Sequence, residues 1–280
     1  MKKLFTILTV VAITTTITFA QSEGDLKFGI FTGANYAIPV GSDMDDLKDD
    51  IDDMIDDADD MGYDAEGGVY GRLGFHLGFN CDYYIKDNFA ITSSLSYSQK
   101  GFNLNTQQES EQQVWVSYYD NNMNYYEDYV TLDYYDKSKV NVKLDYLDLP
   151  IGVKYQDDNG FNVFGGLLFS FLVNQNVKYE SEYEYEQIQY EYNNWNNSYE
   201  SGYSIVSDSD SDSDSDDYDD TIDDDDPNST LTGFQLGVGY SNDRFNVAFK
   251  LNRNSNFGDM DGYGDDNKNL TLQLSTGVYF

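Results

Sequence analysis

The chain has 280 residues, with 16 basic against 51 acidic, a net charge of −35 and one cysteine, Cys81. That charge excludes nucleic acid as a partner, because phosphates need basic residues, and the single cysteine excludes an internal disulfide. No segment after residue 20 is long and apolar enough to be a transmembrane helix.

The first 20 residues, MKKLFTILTVVAITTTITFA, carry a basic start at Lys2 and Lys3, an apolar and Thr-rich middle, and small residues at Thr18 and Ala20. This is the pattern of a secretory signal peptide, with cleavage expected after Ala20. No Cys follows that cut, which argues against a lipid anchor. The remaining 21–280 reads as one domain.

Eight segments then alternate apolar and polar residues with period two, the mark of a strand with two unlike faces. They are Leu26–Tyr36, Val69–Tyr83, Phe89–Gln99, Leu147–Tyr155, Phe161–Val173, Thr232–Tyr240, Phe245–Leu251 and Leu270–Phe280. In the second, the odd positions from Val69 to Tyr83 are mostly apolar, and the even ones include Arg72, His76, Asn80 and Asp82. Three connections are short and turn-like: 85–88, 156–160 and 241–244. Four are long: about 37–68, 100–146, 174–231 and 252–269. Short turns on one rim and long loops on the other give the layout of an outer-membrane barrel, with the short turns periplasmic.

Alternation alone does not choose which face meets lipid, and a soluble ligand-binding barrel would turn the apolar face inward. Three features favour the membrane form. The polar face is rich in Gly, Ser, Ala and Asn, which suits the narrow lumen of eight strands. Tyr83, Phe89, Tyr155, Phe161, Tyr240, Phe245 and Phe280 place aromatic rings at the short-turn ends, as an interfacial girdle would. The last strand runs to Phe280 and is expected to pair with the first, since an open edge in lipid leaves backbone groups unsatisfied. A change of parity near Tyr146–Leu147, where Val140, Val142 and Leu144 fall on the opposite face, suggests a bulge there.

The stretches GFHLGFNCDYYIKDNFAITSSLSYSQKG, LDYLDLPIGVKYQDDNGFNVFGGLLFSFLV and LTLQLSTGVYF resemble the small outer-membrane β-barrels of Bacteroidetes, the PorT-like or porin-family group. YLDLP and SYSQKG are the most specific pieces, and the acidic loops lie outside the pattern. The resemblance implies an eight-stranded barrel in the outer membrane. It also raises an accessory place in a secretion apparatus, since the group's named member is linked to type IX secretion.

The loops hold the remaining signals. In the first, Met44, Leu47, Ile51, Met54, Ala58 and Met61 recur at helical spacing, giving an apolar stripe that would lie over the barrel mouth or meet a partner helix. Ser42 or Asp43 is a suitable cap for its start. The second and third loops hold most of the Tyr, with Trp115 and Trp195, and are expected to prolong the barrel strands beyond the membrane as a Tyr-studded sheet. Tyr and Trp enrichment of this kind is found at recognition surfaces. Asp208 to Asp226 is almost entirely Asp and Ser and is expected to be disordered. Asp208, Asp210, Asp212, Asp214 and Asp216 are candidate ligands for a weakly held Ca²⁺, a hard ion that prefers carboxylate oxygen. The segment 259–269 echoes a calcium loop with the wrong spacing.

No catalytic motif is present. The sole histidine, His76, is expected in a lumen network near Arg72 and Asp82, with Asp148, Lys154 and Lys250. The sequence thus describes an all-β, eight-stranded antiparallel transmembrane barrel with long extracellular loops, in the outer membrane of a Gram-negative bacterium. We expect a monomer surrounded by outer-membrane lipid, non-enzymatic and without a cofactor beyond that weak Ca²⁺. It would act as a surface structural or interaction protein with a cell-surface or extracellular partner. A small-solute or ion channel is the alternative.

Overall fold

The computed structural model describes residues 23–119, 124–192, 200–217, 230–254 and 268–280. In chain order these form β1 (Leu26–Val40), α1 (Ser42–Asp60), β2 (Asp64–Lys86), β3 (Phe89–Tyr119), β4 (Tyr125–Gln156), β5 (Phe161–Tyr192), β6 (Glu200–Asp217), β7 (Thr230–Ser241), β8 (Phe245–Asn254) and β9 (Lys268–Tyr279). Eight strands close a ring in the order β4-β3-β2-β1-β9-β8-β7-β5, with β5 returning to β4. First and last strands pair from Gly29↔Tyr279 to Val40↔Lys268, so the barrel has no open edge in its wall. The expected eight-stranded antiparallel barrel is the fold.

Burial shows which face is which. Leu73, Phe79, Val153, Leu167, Leu236 and Leu274 are exposed on the outside, while Asn35, Ser98, Ser170, Thr271 and Ser275 are buried within. A soluble barrel would reverse these sets. The outer apolar band needs only about 10 residues of each strand. β3 is 31 residues long and β4 and β5 are 32 each. At about 3.3 Å per residue they continue roughly 70 Å past the band.

This extension is the expected Tyr-studded sheet. β3 and β4 stay in unbroken register up to Tyr119↔Tyr125. The ninth strand, β6, pairs with β5 from Asn176↔Asp217 to Tyr192↔Glu200. Its far end comes back to β3, where Tyr203 meets Tyr118 at 5.5 Å between ring centroids. Val116 and Val130 are buried inside this curl.

The expectation of disorder fails for Asp208–Asp217, which lie in β6. Strict Ser/Asp alternation is a period-two pattern. It puts Asp208, Asp210, Asp212 and Asp214 on one face, opposite Tyr185, Tyr183, Ser181 and Tyr179 of β5. Each carboxylate therefore faces a neutral residue across the pair, and successive ones stand roughly 7 Å apart along the strand. Repulsion is too dilute to prevent pairing.

The 37–68 insertion is shorter than expected: β1 runs to Val40, β2 begins at Asp64, and α1 fills most of the interval. The helix enters from Gly41 at φ +133°, a conformation open to glycine. The N-cap position is Gly41, one residue before the expected Ser42 or Asp43. Met44, Ile51 and Ala58 are buried, whereas Met54 and Met61 are exposed. The buried stripe is thus narrower than the sequence spacing implied. Met44 joins Phe102, Val142, Leu144, Tyr146, Val177 and Leu231 in one apolar cluster across the outer mouth.

That cluster accounts for the parity change in β4. Val142, Leu144, Tyr146 and Asp148 are all buried on one face, without a bulge in β4. The extra residue sits on β5. The pairing passes from Tyr146↔Leu172 to Asp145↔Asn174 and skips Val173. A second irregularity sets four β2 residues, 72–75, against three of β3, 99–101. It reverses the parity of β2, so that Val69 packs against the inner cluster and does not share the outer face of Leu73 and Phe79. Gly101, at φ +127°, lies at this point, and a Cβ there would strike the Val142 carbonyl.

The topology predicts a labelling pattern. In a Cys81→Ser background, Ser213→Cys in β6 should react with a bulky, membrane-impermeant maleimide on intact cells. Asn242→Cys, in a short turn, should react only after the outer membrane is opened. The reverse pattern would mean that the barrel is inserted the other way.

Candidate functional site

Two regions carry concentrated chemistry: the lumen and the extracellular sheet. In the lumen, eight strands leave room for little more than side chains. Polar groups taken out of water there must bond to one another. They do so in layers.

Just beneath the apolar cluster, Lys100 Nζ donates to Asp148 Oδ1 at 2.9 Å, with both side chains almost fully buried. Ser170 Oγ donates to the same oxygen at 2.5 Å, and Asn254 Nδ2 donates to Ser170 Oγ at 2.8 Å. The Lys100 ammonium also lies 4.7 Å from the Tyr146 ring centroid. Next comes His76, fully buried. Asn35 Nδ2 donates to Ser98 Oγ and to two backbone carbonyls, so Asn35 Oδ1 is the acceptor facing His76 Nδ1 at 2.5 Å. The proton then sits on Nδ1, and Nε2 accepts from Ser275 Oγ at 2.8 Å. The ring has both nitrogens occupied by neutral partners and serves as a structural link between β1, β2 and β9.

Lower still, Lys154 Nζ donates to Asp82 Oδ2 at 2.9 Å, and Tyr279 and Thr92 hydroxyls donate to the same carboxylate at 3.0 and 2.6 Å. At the short-turn mouth, Gln156 Oε1 accepts from Tyr84 and Ser241, and Asn162 donates to Ser241. The lumen is therefore closed at its outer end by apolar side chains under α1 and at its inner end by amides and hydroxyls.

The extracellular sheet is a different environment. Trp115 packs edge-on against Tyr129 at 4.4 Å, Tyr118 stacks on Tyr126 at 5.4 Å, and Tyr119 meets Tyr125 at 5.2 Å. Trp115, Tyr125, Tyr126 and Tyr129 remain exposed. On β5, Tyr185 donates to Asp208 at 3.1 Å and Tyr183 to Asp210 at 3.3 Å. The hydrogen bond to Asp208 pushes the Tyr185 phenol above its ordinary value, and the charge of Asp210 does the same to Tyr183. Lys178 forms a close ion pair with Glu180, whose carboxyl is held below its usual range by that hydrogen bond and charge.

The family model described as "Outer membrane protein beta-barrel domain" matches residues 19–262. The chain belongs to this family. Its place is the outer membrane. Among solved structures it is similar to Ail, the attachment invasion locus protein of Yersinia pestis. The two are 12% identical over 92% of this chain and 99% of that one, with a TM-score of 0.33. It is also similar to outer membrane phospholipase A of Escherichia coli, at 10% identity over 93% and 98% of the two chains, TM-score 0.18. No curated protein matches it in sequence.

Of the expected lumen network, the barrel brings together Asp82 with Lys154, and gives Asp148 and His76 other partners. Arg72 is not among them. The irregularity in β2 turns it away, and it reaches Asn141 of β4 at 2.6 Å. Lys100, Asn35 and Tyr279 were missed. Lys100 was within reach, because it continues the even face of Ser96 and Ser98 by one step. The candidate ligands Asp208, Asp210, Asp212 and Asp214 form a row and do not converge, and Asp216 continues the same strand register. Among the described residues no three His, Cys, Asp or Glu side chains gather as a metal ion requires. Trp195 and residues 218–226 and 259–267 lie outside the described residues, as do 1–20.

Two outcomes follow. Lys100→Met leaves Asp148 without its cation and should destabilise the barrel by about 3–5 kcal/mol. Lys100→Met with Asp148→Leu should recover most of that, both read from urea unfolding in lipid vesicles. Asp208→Asn replaces the charged acceptor of Tyr185 with a neutral amide and should bring its phenol pKa down towards the ordinary tyrosine value. Carbon-13 NMR of the tyrosine ring carbons across an alkaline titration measures it.

Proposed function

We propose that this protein is a non-enzymatic, monomeric surface protein whose extracellular sheet engages a partner outside the cell, with the barrel as its anchor in outer-membrane lipid. The observation that carries this reading is the length of β3, β4 and β5, which run about 20 residues each past the lipid band. A barrel needs no such extension to be stable, and this one presents exposed Trp115, Tyr125, Tyr126 and Tyr129 at its far end. Large rings with a polar handle supply binding area at small entropic cost. The surrounding carboxylates favour a partner with basic groups.

The packing of the lumen weighs against the channel alternative. Lys100 and Asp148, then Lys154 and Asp82, occupy successive levels as buried ion pairs. Conduction needs sites that an ion can enter and leave, and these are already filled by side chains.

The test is a chain in which Trp115, Tyr126 and Tyr129 are all replaced by Ala. It should reach the outer membrane and keep its heat-modifiable gel shift, yet lose at least tenfold in adhesion of expressing cells to host or neighbouring-cell surfaces. Equal adhesion by both forms would remove the reading. Steady, selective conductance of the wild type in planar bilayers would replace it with the channel.

A further inference from the structure

The lumen charges do not balance. The buried cations on the lumen face are Lys27, Lys100, Lys154 and Lys250, and the buried carboxylates there are Asp82 and Asp148; Lys27, at the short-turn mouth, lies 3.9 Å from Asp243. Lys100 takes Asp148 and Lys154 takes Asp82, each at 2.9 Å. Both carboxylates are further saturated by hydroxyls, Asp148 by Ser170, and Asp82 by Thr92 and Tyr279. His76, between Asn35 and Ser275, adds no charge. Lys250 is left over. It is about nine-tenths buried, at 9% exposure, and makes no hydrogen bond or ion pair with any described residue.

The position of its ammonium group is specific. Nζ stands 4.2 Å from the centroid of the Phe31 ring, which shields one side. The other side faces a small chamber between the two stoppers, lined by Asn80, Lys154, Asn246, Ser275 and Tyr279 among others, and by Asp82, whose charge is taken up by Lys154. The chamber has space for on the order of five water molecules. An ammonium group has three N–H donors, and all three are free to turn towards this space. A surplus cation and its unused donors thus face one small volume within the lumen.

We propose that this chamber is a binding site for a small monovalent inorganic anion of halide size, held by the Lys250 ammonium. The anion supplies the countercharge that Lys250 lacks, as a third buried carboxylate would have done had the chain supplied one. An organic anion as large as gluconate would not fit the chamber, and phosphate is disfavoured by its higher charge, which would leave an imbalance of the opposite sign. The site is independent of the extracellular surface and stands whether or not that surface binds a partner.

The test uses the full mature chain refolded in lipid vesicles, with bromide as the probe and gluconate keeping ionic strength constant. The midpoint of heat modification should rise with bromide and saturate in the wild type. In Lys250→Met, which keeps the side chain's length without its charge, the saturable rise should vanish. Crystals grown with bromide should show an anomalous peak beside Nζ of Lys250. An equal bromide response in folded Lys250→Met overturns the proposal. So does a wild type with no saturable response, even if a peak appears at crystal concentration. If Lys250→Met does not fold, the wild-type titration and the anomalous peak decide together, and absence of either sinks the idea.

Discussion

Every backbone N–H and C=O in the bilayer core must bond within the protein, because lipid offers no alternative. That requirement fixes the ring of eight strands, and the ring fixes much else. Pairing of β1 with β9 ties the two ends of the described chain together, so no partly formed barrel is stable in lipid. Eight strands also set the bore, which is too narrow for a water column beside the side chains. The lumen residues are therefore under a common demand: a polar group that loses water needs a partner inside the bore. Lys154 of β4 with Asp82 of β2 and Tyr279 of β9, and His76 of β2 with Asn35 of β1 and Ser275 of β9, satisfy it within the bore.

The outer end of the barrel is governed by a different balance. Above the lipid band the strands continue in water, where a polar interior would fill with solvent and leave the mouth open. The inward positions turn apolar at this level, from Phe102 on β3 to Val142 and Leu144 on β4. β5 inserts Val173 so that Val177 reaches the same face. α1 then lays Met44 over them, with Leu47 beside it. The two register irregularities, on β2 and β5, flank this cluster on its two sides. They let strands that face lipid with one parity face the plug with the other.

These irregularities also mark the limit of what could be read from the sequence. Within the lipid band, strict alternation and the short turns located all eight strands to within a few residues, whereas SDSDSDSD, expected to be disordered for its charge, is a strand whose period-two pattern was there to be read. What alternation cannot report is a change of parity in the middle of a strand. Val69 and Leu73 are both odd and apolar, yet they face opposite sides, because an extra residue between them is visible only in the pairing with β3. The same shift carried Arg72 away from the lumen site expected for it. In β4, the run Val142, Leu144 and Tyr146 reads as a bulge from sequence, whereas it is an apolar plug on an unbroken strand. Distinguishing the two needs the partner that fills the mouth, α1, whose docking no local pattern specifies.

The acidic strand β6 solves a problem that the extension creates. Prolonging β3, β4 and β5 beyond the membrane gives up the closed ring, and β6 becomes the edge of the sheet. A long unpaired edge invites pairing with another chain. A row of Asp at every second position opposes that. Any second copy brings its own row, and two such edges would set like charges directly across from each other. Pairing within the chain avoids this, because β5 offers Tyr and Ser opposite the carboxylates, and its phenols donate to them. The same charges thus permit the intramolecular edge and resist the intermolecular one. This explains why so acidic a segment can be a strand at all, and why it sits at the margin of the sheet, not in its middle.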